Sequence, residues 1–396
     1  MDVPRLALLD YQRYGRQMIL EGFGLAGQLK LKAASVAVIG AGGLGCSALQ
    51  YLAAAGAGKL GIIDHDVVET SNLQRQILHS DEKIGLSKAV SAAQALNQIN
   101  PGCHVIAHVC ALTSRNALEI LQAYDIILDC TDNPPTRYLL SDSAVKLGKP
   151  LVSGAAQKFE GQLCTYNLGD DGPCYRCLFP RPPSAETTGS CAELGILGAV
   201  TGVIGNLQAL EAIKLIAGLH DGKPSLLLFS ALSSMPFRTI RIRPRRPTCP
   251  ACGKEGERTG TIAETDYVAF CGGSRPDWVV LGLQEGNSGH RLRAKDLKEI
   301  LQSERKPLLI DVRLPVEFGI CHLPESKNVP LAEFVANPLA FVPEAEEETY
   351  FICRLGNDSQ IATEALRSVR KDGMVKDLVG GLRAWANEAD PDFPIY

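Results

Sequence analysis

Gly40-Ala41-Gly42-Gly43-Leu44-Gly45 follows directly on the β-rich run Val36 to Ile39. Glycine admits close backbone approaches that a Cβ forbids, so four glycines between a strand and a small-residue helix mark a tight strand-to-helix turn. The 26 uncharged residues from Ala33 to Gly58 are long enough to cross a bilayer by count alone. Six of them are glycines, and the clustering of four after a strand favours strand, turn and helix over a membrane span.

Around that turn the pattern alternates. Strands are expected at Val36 to Ile39, Lys59 to Asp64, His104 to His108 and Asp125 to Asp129, with helices at Cys46 to Ala55, Lys88 to Ile99 and Arg115 to Gln122. This is the signature of an α/β domain with helices on both faces of a parallel sheet. Leu151 to Ser153, Gly161 to Tyr166 and Leu226 to Phe229 extend the sheet, and its tail can run antiparallel, giving a mixed sheet. A helix over about residues 196 to 219 carries Gly198, Gly202 and Gly205, which suit close packing on a neighbour. The first domain is expected over 1–252, a glycine-rich polar linker over 253–274 and a second α/β domain over 275–396.

The 396 residues carry a net charge of −4, so there is no global electrostatic pull toward nucleic acid or anionic membrane, and any RNA contact would have to be local. The start has only Leu6 to Leu9 as an apolar run, too short for a secretory signal, which makes the cytosol the expected compartment. Thirteen cysteines, an odd number in a chain too large to need staples, read as reduced thiols with some used for metal or chemistry.

The glycine run matches G-x-G-x-x-G, and Asp64 closes the next strand 19 residues after Gly45. Gly40, Gly42, Gly43 and Gly45 let backbone approach phosphate, the helix start attracts the anion, and a carboxylate takes ribose hydroxyls. The polar residues downstream do not suit hydride transfer. Asp64, Asp66, Asn72, Arg75, Gln76 and Lys88 gather beyond the second strand, and Asp132 stands past a later strand end in Cys130-Thr131-Asp132-Asn133. Cations that clamp a triphosphate and an acid that holds Mg²⁺ suit nucleotidyl transfer better. A solvated charge cluster is the bland alternative.

With Arg13-Tyr14-Gly15-Arg16-Gln17, Asp64-His65-Asp66, Ser71 to Gln76, Gly154-Ala155-Ala156 and Pro173-Cys174-Tyr175-Arg176-Cys177, these motifs in one order over residues 11 to 252 resemble the ubiquitin-activating (E1-like) adenylyltransferases of the MoeB/ThiF type. The resemblance implies a Rossmann-like adenylation domain that uses ATP and Mg²⁺ to adenylate the C-terminal glycine of a ubiquitin-like carrier. It implies that Asp64 binds ribose, that Asn72, Arg75 and Lys88 bind phosphates, and that Asp132 binds Mg²⁺. It also implies a homodimer, with Arg16 reaching into the partner's site.

Cys174-x-x-Cys177 and Cys249-x-x-Cys252 supply four sulfurs, the stoichiometry of a closed Zn²⁺ site; redox pairs or disulfides are the alternatives. Cys191 comes after the Pro/Ser/Thr-rich stretch 180–189 and precedes a helix, a setting that suits a nucleophilic thiol better than a core residue. In the E1-like family this loop crosses the nucleotide site, and its cysteine can attack the acyl-adenylate; relatives often carry Thr where Ser190 stands here.

Cys353 ends an apolar strand and begins the loop Cys353-Arg354-Leu355-Gly356-Asn357-Asp358-Ser359 before a helix. Consecutive N–H groups in such a loop can favour a thiolate or a persulfide. That loop, with Asp311 to Phe318, His322 to Pro330 and Val379 to Trp385, resembles a rhodanese domain. An E1-like domain fused to a rhodanese resembles the eukaryotic sulfur-carrier activating enzymes. The fusion implies adenylation of a carrier ending in Gly-Gly, persulfide transfer from Cys353 to give a thiocarboxylate, and an upstream cysteine desulfurase or sulfurtransferase as donor. Cys191 would hold the carrier as a thioester or release it from Cys353. The product would serve wobble-uridine 2-thiolation of tRNA, protein conjugation and, in some organisms, molybdopterin synthesis. A thiamine-pathway carrier activator and a silent docking scaffold are the alternatives. The remaining cysteines, including Cys46, Cys130 and Cys271, read as packing residues.

Overall fold

The computed structural model describes residues 5–182, 194–255, 260–274, 276–285, 290–342, 348–370 and 374–396. By internal contacts the chain divides into two compact units, Met1–Ser274 and Arg275–Tyr396.

The first unit is built on an eight-stranded mixed sheet: β1 (Ser35–Ile39), β2 (Lys59–Ile63), β3 (His104–His108), β4 (Ile126–Asp129), β5 (Leu151–Gln157), β6 (Glu160–Tyr166), β7 (Ser225–Ser230) and β8 (Phe237–Arg241). Their order is β3-β2-β1-β4-β5-β6-β7-β8. The first five are parallel and β6, β7 and β8 add antiparallel, as the sequence suggested for the tail. β1 lies between β2 and β4, so the chain leaves it in one direction across the sheet and later returns on its other side. Ligands of open α/β sheets bind in the crevice at that switch, outside the strands' carboxyl ends.

The uncharged stretch 33–58 resolves into β1, the glycine turn and the helix Gly43–Ala55, not a span. One described helix, Gly198–Ala217, is long and apolar enough to cross a membrane by count. It packs instead on helix Gly43–Ala55 and on β5. The approach is close enough that a Cβ on Gly205 would stand 2.3 Å from the Leu44 carbonyl oxygen, so that crossing requires glycine.

The expected linker is corrected by the structure. Within 253–274, the helix Tyr267–Phe270 belongs to the first unit, with Tyr267 and Cys271 buried in its core. Tyr267 Oη donates to Asp142 Oδ2 at 2.9 Å, and the Arg176 guanidinium, doubly bonded to Asp142, lies 4.3 Å from the Phe270 ring. The segment's polar, glycine-rich composition hid a short aromatic face whose partners stand far away in sequence.

The second unit has a five-stranded parallel sheet ordered β11-β10-β12-β13-β9, from β9 (Arg291–Leu292), β10 (Leu308–Asp311), β11 (Lys327–Asn328), β12 (Thr349–Ile352) and β13 (Val375–Leu378). Side chains alternate across it. Tyr350 and Ile352 pack with Leu378, Leu382 and Trp385 on one face, while Phe351 and Cys353 pack with Ala362 and Leu366 on the other.

Candidate active site

In the first unit, the carboxyl ends of β1, β2 and β4 gather the expected nucleotide-binding residues. Gly40 takes φ +95°, and a Cβ there would stand 2.7 Å from the Cys130 carbonyl oxygen, so the turn after β1 can lie against β4 only as glycine. Gly42 caps the helix Gly43–Ala55, whose first turn contains Gly43 and Gly45. Asp64, just past β2 and buried, accepts the Ala41 N–H at 2.7 Å through Oδ2 and the Asp66 N–H at 2.8 Å through Oδ1. Each oxygen keeps a lone pair for a ligand hydroxyl.

Lys88 begins the helix Lys88–Ile99 and places its ammonium 2.9 Å from Asp66 Oδ2, with its own side chain nearly buried. Asn72 is buried, and its Oδ1 accepts from Gln76 Nε2 at 2.7 Å and from Arg75 at 3.5 Å. Arg75 also donates to the Ser71 carbonyl at 3.1 Å. Asp64, His65 and Asp66 bring three possible ligand atoms within 4.8 Å of one another. Asp132 does not join that group; it stands exposed just beyond β4. Arg16 is exposed near the end of the helix Leu8–Met18.

Three further residues complete this end of the sheet, and nothing in their local sequence announced the first two. His79 Nε2 approaches the Ala41 carbonyl at 3.0 Å and Nδ1 meets Ser91 Oγ at 2.8 Å. It therefore ties the glycine turn to the helix that carries Lys88. A carbonyl only accepts, so Nε2 carries the hydrogen, and burial lowers the ring's pKa, which favours its neutral form. Arg137 pairs with the buried Asp129 at 2.9 Å and donates to the carbonyls of Thr131 and Gly154, bracing the loop that carries Asp132. Gln76, whose sequence context marks it only as one of several polar groups, buries its Oε1 with no hydrogen-bond partner in the structure.

Cys174, Cys177, Cys249 and Cys252 converge in a buried cluster packed against Val145, Leu178 and Ala251. Their sulfurs stand 3.4, 3.6 and 3.9 Å apart in three pairs. A tetrahedron of bonds near 2.3 Å has edges of about 3.8 Å, whereas a disulfide would need about 2.05 Å. The donor set thus fits a closed four-thiolate metal site. Cys191 lies outside the described residues.

In the second unit, Cys353 is buried at the end of β12. The Gly356 N–H points at its sulfur at 3.1 Å, and Ser359 Oγ lies 3.4 Å away. The Gly356 N–H supplies one donor of the expected backbone cradle, but its effect is outweighed in the free thiol: burial pushes the Cys353 pKa up, Asp358 adds to the rise, and the hydrogen bonds from Ser359 and Gly356 oppose it.

The ThiF family profile matches residues 14–251 and the rhodanese-like domain profile matches 293–388. The chain is 52% identical over 392 residues to the adenylyltransferase and sulfurtransferase MOCS3 of Drosophila yakuba, covering 98% of this chain and 85% of that protein. Its identity to the same-named protein of Drosophila grimshawi is 48% over 400 residues, covering 100% and 88%. Among solved structures, E. coli MccB superimposes with a TM-score of 0.54 at 22% identity, covering 63% of this chain and 74% of that one, a likeness of fold. Because a relationship of that strength extends over both units, the chain belongs to the ThiF family, in the rhodanese-fused group whose members are adenylyltransferases and sulfurtransferases.

Proposed function

We propose that this enzyme adenylates the C-terminal glycine of a ubiquitin-like sulfur carrier and then converts it to a thiocarboxylate with sulfur from Cys353. The observation that carries the reading is the presence in one chain of a nucleotide crevice and a buried thiol under a backbone N–H. In the first half-reaction a carboxylate oxygen of the carrier attacks the α-phosphorus of ATP, and the bond to pyrophosphate breaks. Attack of one anion on another is opposed by charge, and Arg75 and Lys88, with Arg16 from a second copy, offset it. Asp64 takes the ribose, Asn72 supports the phosphates, and Asp132 holds Mg²⁺ once nucleotide is bound.

In the second half-reaction the outer sulfur of a persulfide on Cys353, loaded by a cysteine desulfurase or another sulfurtransferase, attacks the acyl carbon and AMP leaves, giving an acyl disulfide. A second thiol then attacks the Cys353 sulfur, the S–S bond breaks to release the thiocarboxylate, and the disulfide left on Cys353 is reduced by an external thiol. Cys191 is the second thiol, holding the acyl group or releasing it from Cys353. Cys174, Cys177, Cys249 and Cys252 hold Zn²⁺, which supplies a cross-link between the middle and the end of the first unit and no open coordination position for chemistry. The enzyme works as a homodimer in the cytosol, where thiols stay reduced. The thiocarboxylate serves tRNA wobble-uridine 2-thiolation, protein conjugation by the carrier and, in some organisms, molybdopterin synthesis. The test is to mix the protein with each candidate carrier, ATP and thiosulfate, and weigh the carrier. A gain equal to the difference between sulfur and oxygen supports the reading; an unchanged mass with every carrier, while ATP is consumed, overturns it.

A further inference from the structure

Behind the Cys353 loop lies an ion pair that neither the rhodanese motif nor the adenylation chemistry uses. Arg291 and Asp377 are almost wholly buried, with side-chain exposures of 5% and 2%. Arg291 lies just before the stretch that matches the rhodanese-like profile. Its Nε donates to both carboxylate oxygens of Asp377 at 3.0 and 3.1 Å, and its Nη2 to Oδ2 at 2.7 Å. Burying two charges is costly, and a fork this well saturated is what makes it tolerable.

Each member of the pair also grips the sulfur-bearing loop. Arg291 Nη2 donates to the Gly356 carbonyl at 2.7 Å, a carbonyl that Gln360 Nε2 also reaches at 2.6 Å. Its Nη1 meanwhile bonds the carbonyls of Gly282 and Gln284. Gly356 is the residue whose N–H meets Cys353 Sγ, and it stands at φ +84°, a conformation that must be held. Asp377 Oδ2 accepts the Ser359 hydroxyl at 3.2 Å, and Ser359 Oγ in turn accepts the Cys353 S–H at 3.4 Å. Both groups that hydrogen-bond the sulfur are therefore fixed from behind by the same pair.

We infer that the buried Arg291–Asp377 pair positions the sulfur of Cys353 for transfer, by fixing Gly356 and Ser359 against it. The arrangement also explains how one serine serves two states. In the thiol state the hydrogen bonds run from sulfur to Ser359 to Asp377. In the thiolate or persulfide state the sulfur has no hydrogen to give, and the Ser359 O–H must turn toward it. Asp377 can release that hydrogen because three contacts from Arg291 remain. The other charges that bear on these groups are Asp358, which disfavours the thiolate, and Arg367, which favours the Asp377 carboxylate. Arg291 and Asp377 are positioning residues, since neither touches the sulfur. The inference rests on Cys353 being the sulfur-transfer site.

The test uses the full chain, with thiosulfate-to-cyanide transfer and the pH profile of Cys353 alkylation by iodoacetamide, read on its peptide by mass spectrometry. Lysine cannot span Asp377 and the Gly356 carbonyl together, so Arg291→Lys should lower kcat about tenfold with the KM for thiosulfate within about twofold. The alkylation profile should move up by about one pH unit. Ser359→Ala should do the same and Ser359→Thr, which keeps the hydroxyl, should restore both readouts. The double variant Arg291→Lys/Ser359→Ala should lose less than the product of the single losses, because both act through one network. An unmoved alkylation profile in Ser359→Ala and in folded Arg291→Lys would overturn the inference. If Arg291→Lys does not fold, Asp377→Asn, which keeps the side chain's shape while weakening its hold on Arg291 and Ser359, decides by the same two readouts. Full transfer activity in Cys353→Ala would instead remove the premise, a distinct failure.

Discussion

The Ala41 N–H donates to Asp64 at 2.7 Å, so the acid that closes β2 also anchors the glycine turn after β1. Because the other oxygen of Asp64 takes the Asp66 N–H, an amide in its place has only one accepting atom for two donors. Asp64→Asn should therefore loosen the turn as well as weaken ribose contact. Pyrophosphate–ATP exchange should fall about a hundredfold, with the loss in both KM for ATP and kcat. Exchange at the wild-type rate would mean that the turn holds its shape without this anchor.

His79 predicts a pH effect on stability. Its pKa is lowered, first by burial, with Lys88 and Lys83 adding to the fall while the Ala41 carbonyl and Asp64 oppose it. The unfolded chain therefore binds a proton below about pH 6.5 that the folded one refuses. The associated stability is complete above that value and declines as pH falls toward the lower folded pKa. His79→Gln cannot titrate, so its melting temperature should change less between about pH 7.5 and pH 5.5 than that of the wild type. Equal slopes for the two proteins would assign the acid sensitivity to other groups.

Zinc should be found at about one ion per chain, and its removal should cost stability before it costs chemistry. Cys249→Ser breaks a buried four-thiolate set and should lower the melting temperature by about 10 °C or more, while the surviving folded fraction still exchanges pyrophosphate. Metal-free protein with an unchanged melting temperature would remove the zinc assignment.

Cys353 should alkylate slowly at neutral pH despite its N–H neighbours. Burial raises its pKa above the ordinary thiol value of 9.0, so the reactive thiolate is a small fraction at neutrality and its share grows with pH. The alkylation rate of its peptide should still be climbing above about pH 10, where an exposed thiol of ordinary pKa has levelled off. A plateau below about pH 8 would show that the loop's donors outweigh burial.

β1, the glycine turn, Asp64 and the Cys353 loop are legible in the sequence because each is local: a strand, a turn and its chemistry lie within a few residues. The helix Pro134–Leu147 is not. Ser141, Asp142 and Ser143 sit buried in its middle and blur the apolar stripe that marks an amphipathic helix. Ser141 and Asp142 are satisfied by Tyr175, Arg176 and Tyr267, partners 34 and 125 residues away. The same holds for His79, which meets the glycine turn 38 residues upstream, and for Arg291, which meets Asp377 across 86 residues. A buried polar residue looks like a loop residue until its partner is known. The direction of the Cys353 pKa shift was hidden similarly, since the loop's donors are written locally and the depth of burial is not.

Single substitutions should separate the two chemistries. The nucleotide crevice is assembled from residues of the first unit, and the sulfur loop with its supporting pair from residues of the second. Adenylation precedes any sulfur step, so Cys353→Ala should retain carrier-dependent exchange of labelled pyrophosphate into ATP at close to the wild-type rate. Thiosulfate-to-cyanide transfer and thiocarboxylate formation should both vanish. Asp132→Ala should show the opposite pattern, losing exchange while transferring sulfur to cyanide, because the role proposed for the acid is confined to phosphate handling. Cys191→Ala should keep both partial reactions and slow only thiocarboxylate formation, since the role proposed for its thiol is on the acyl group between them. If Cys353→Ala, still folded, lost exchange as well, the sulfur loop would be taking part in nucleotide chemistry, and the division of labour between the units would have to be abandoned.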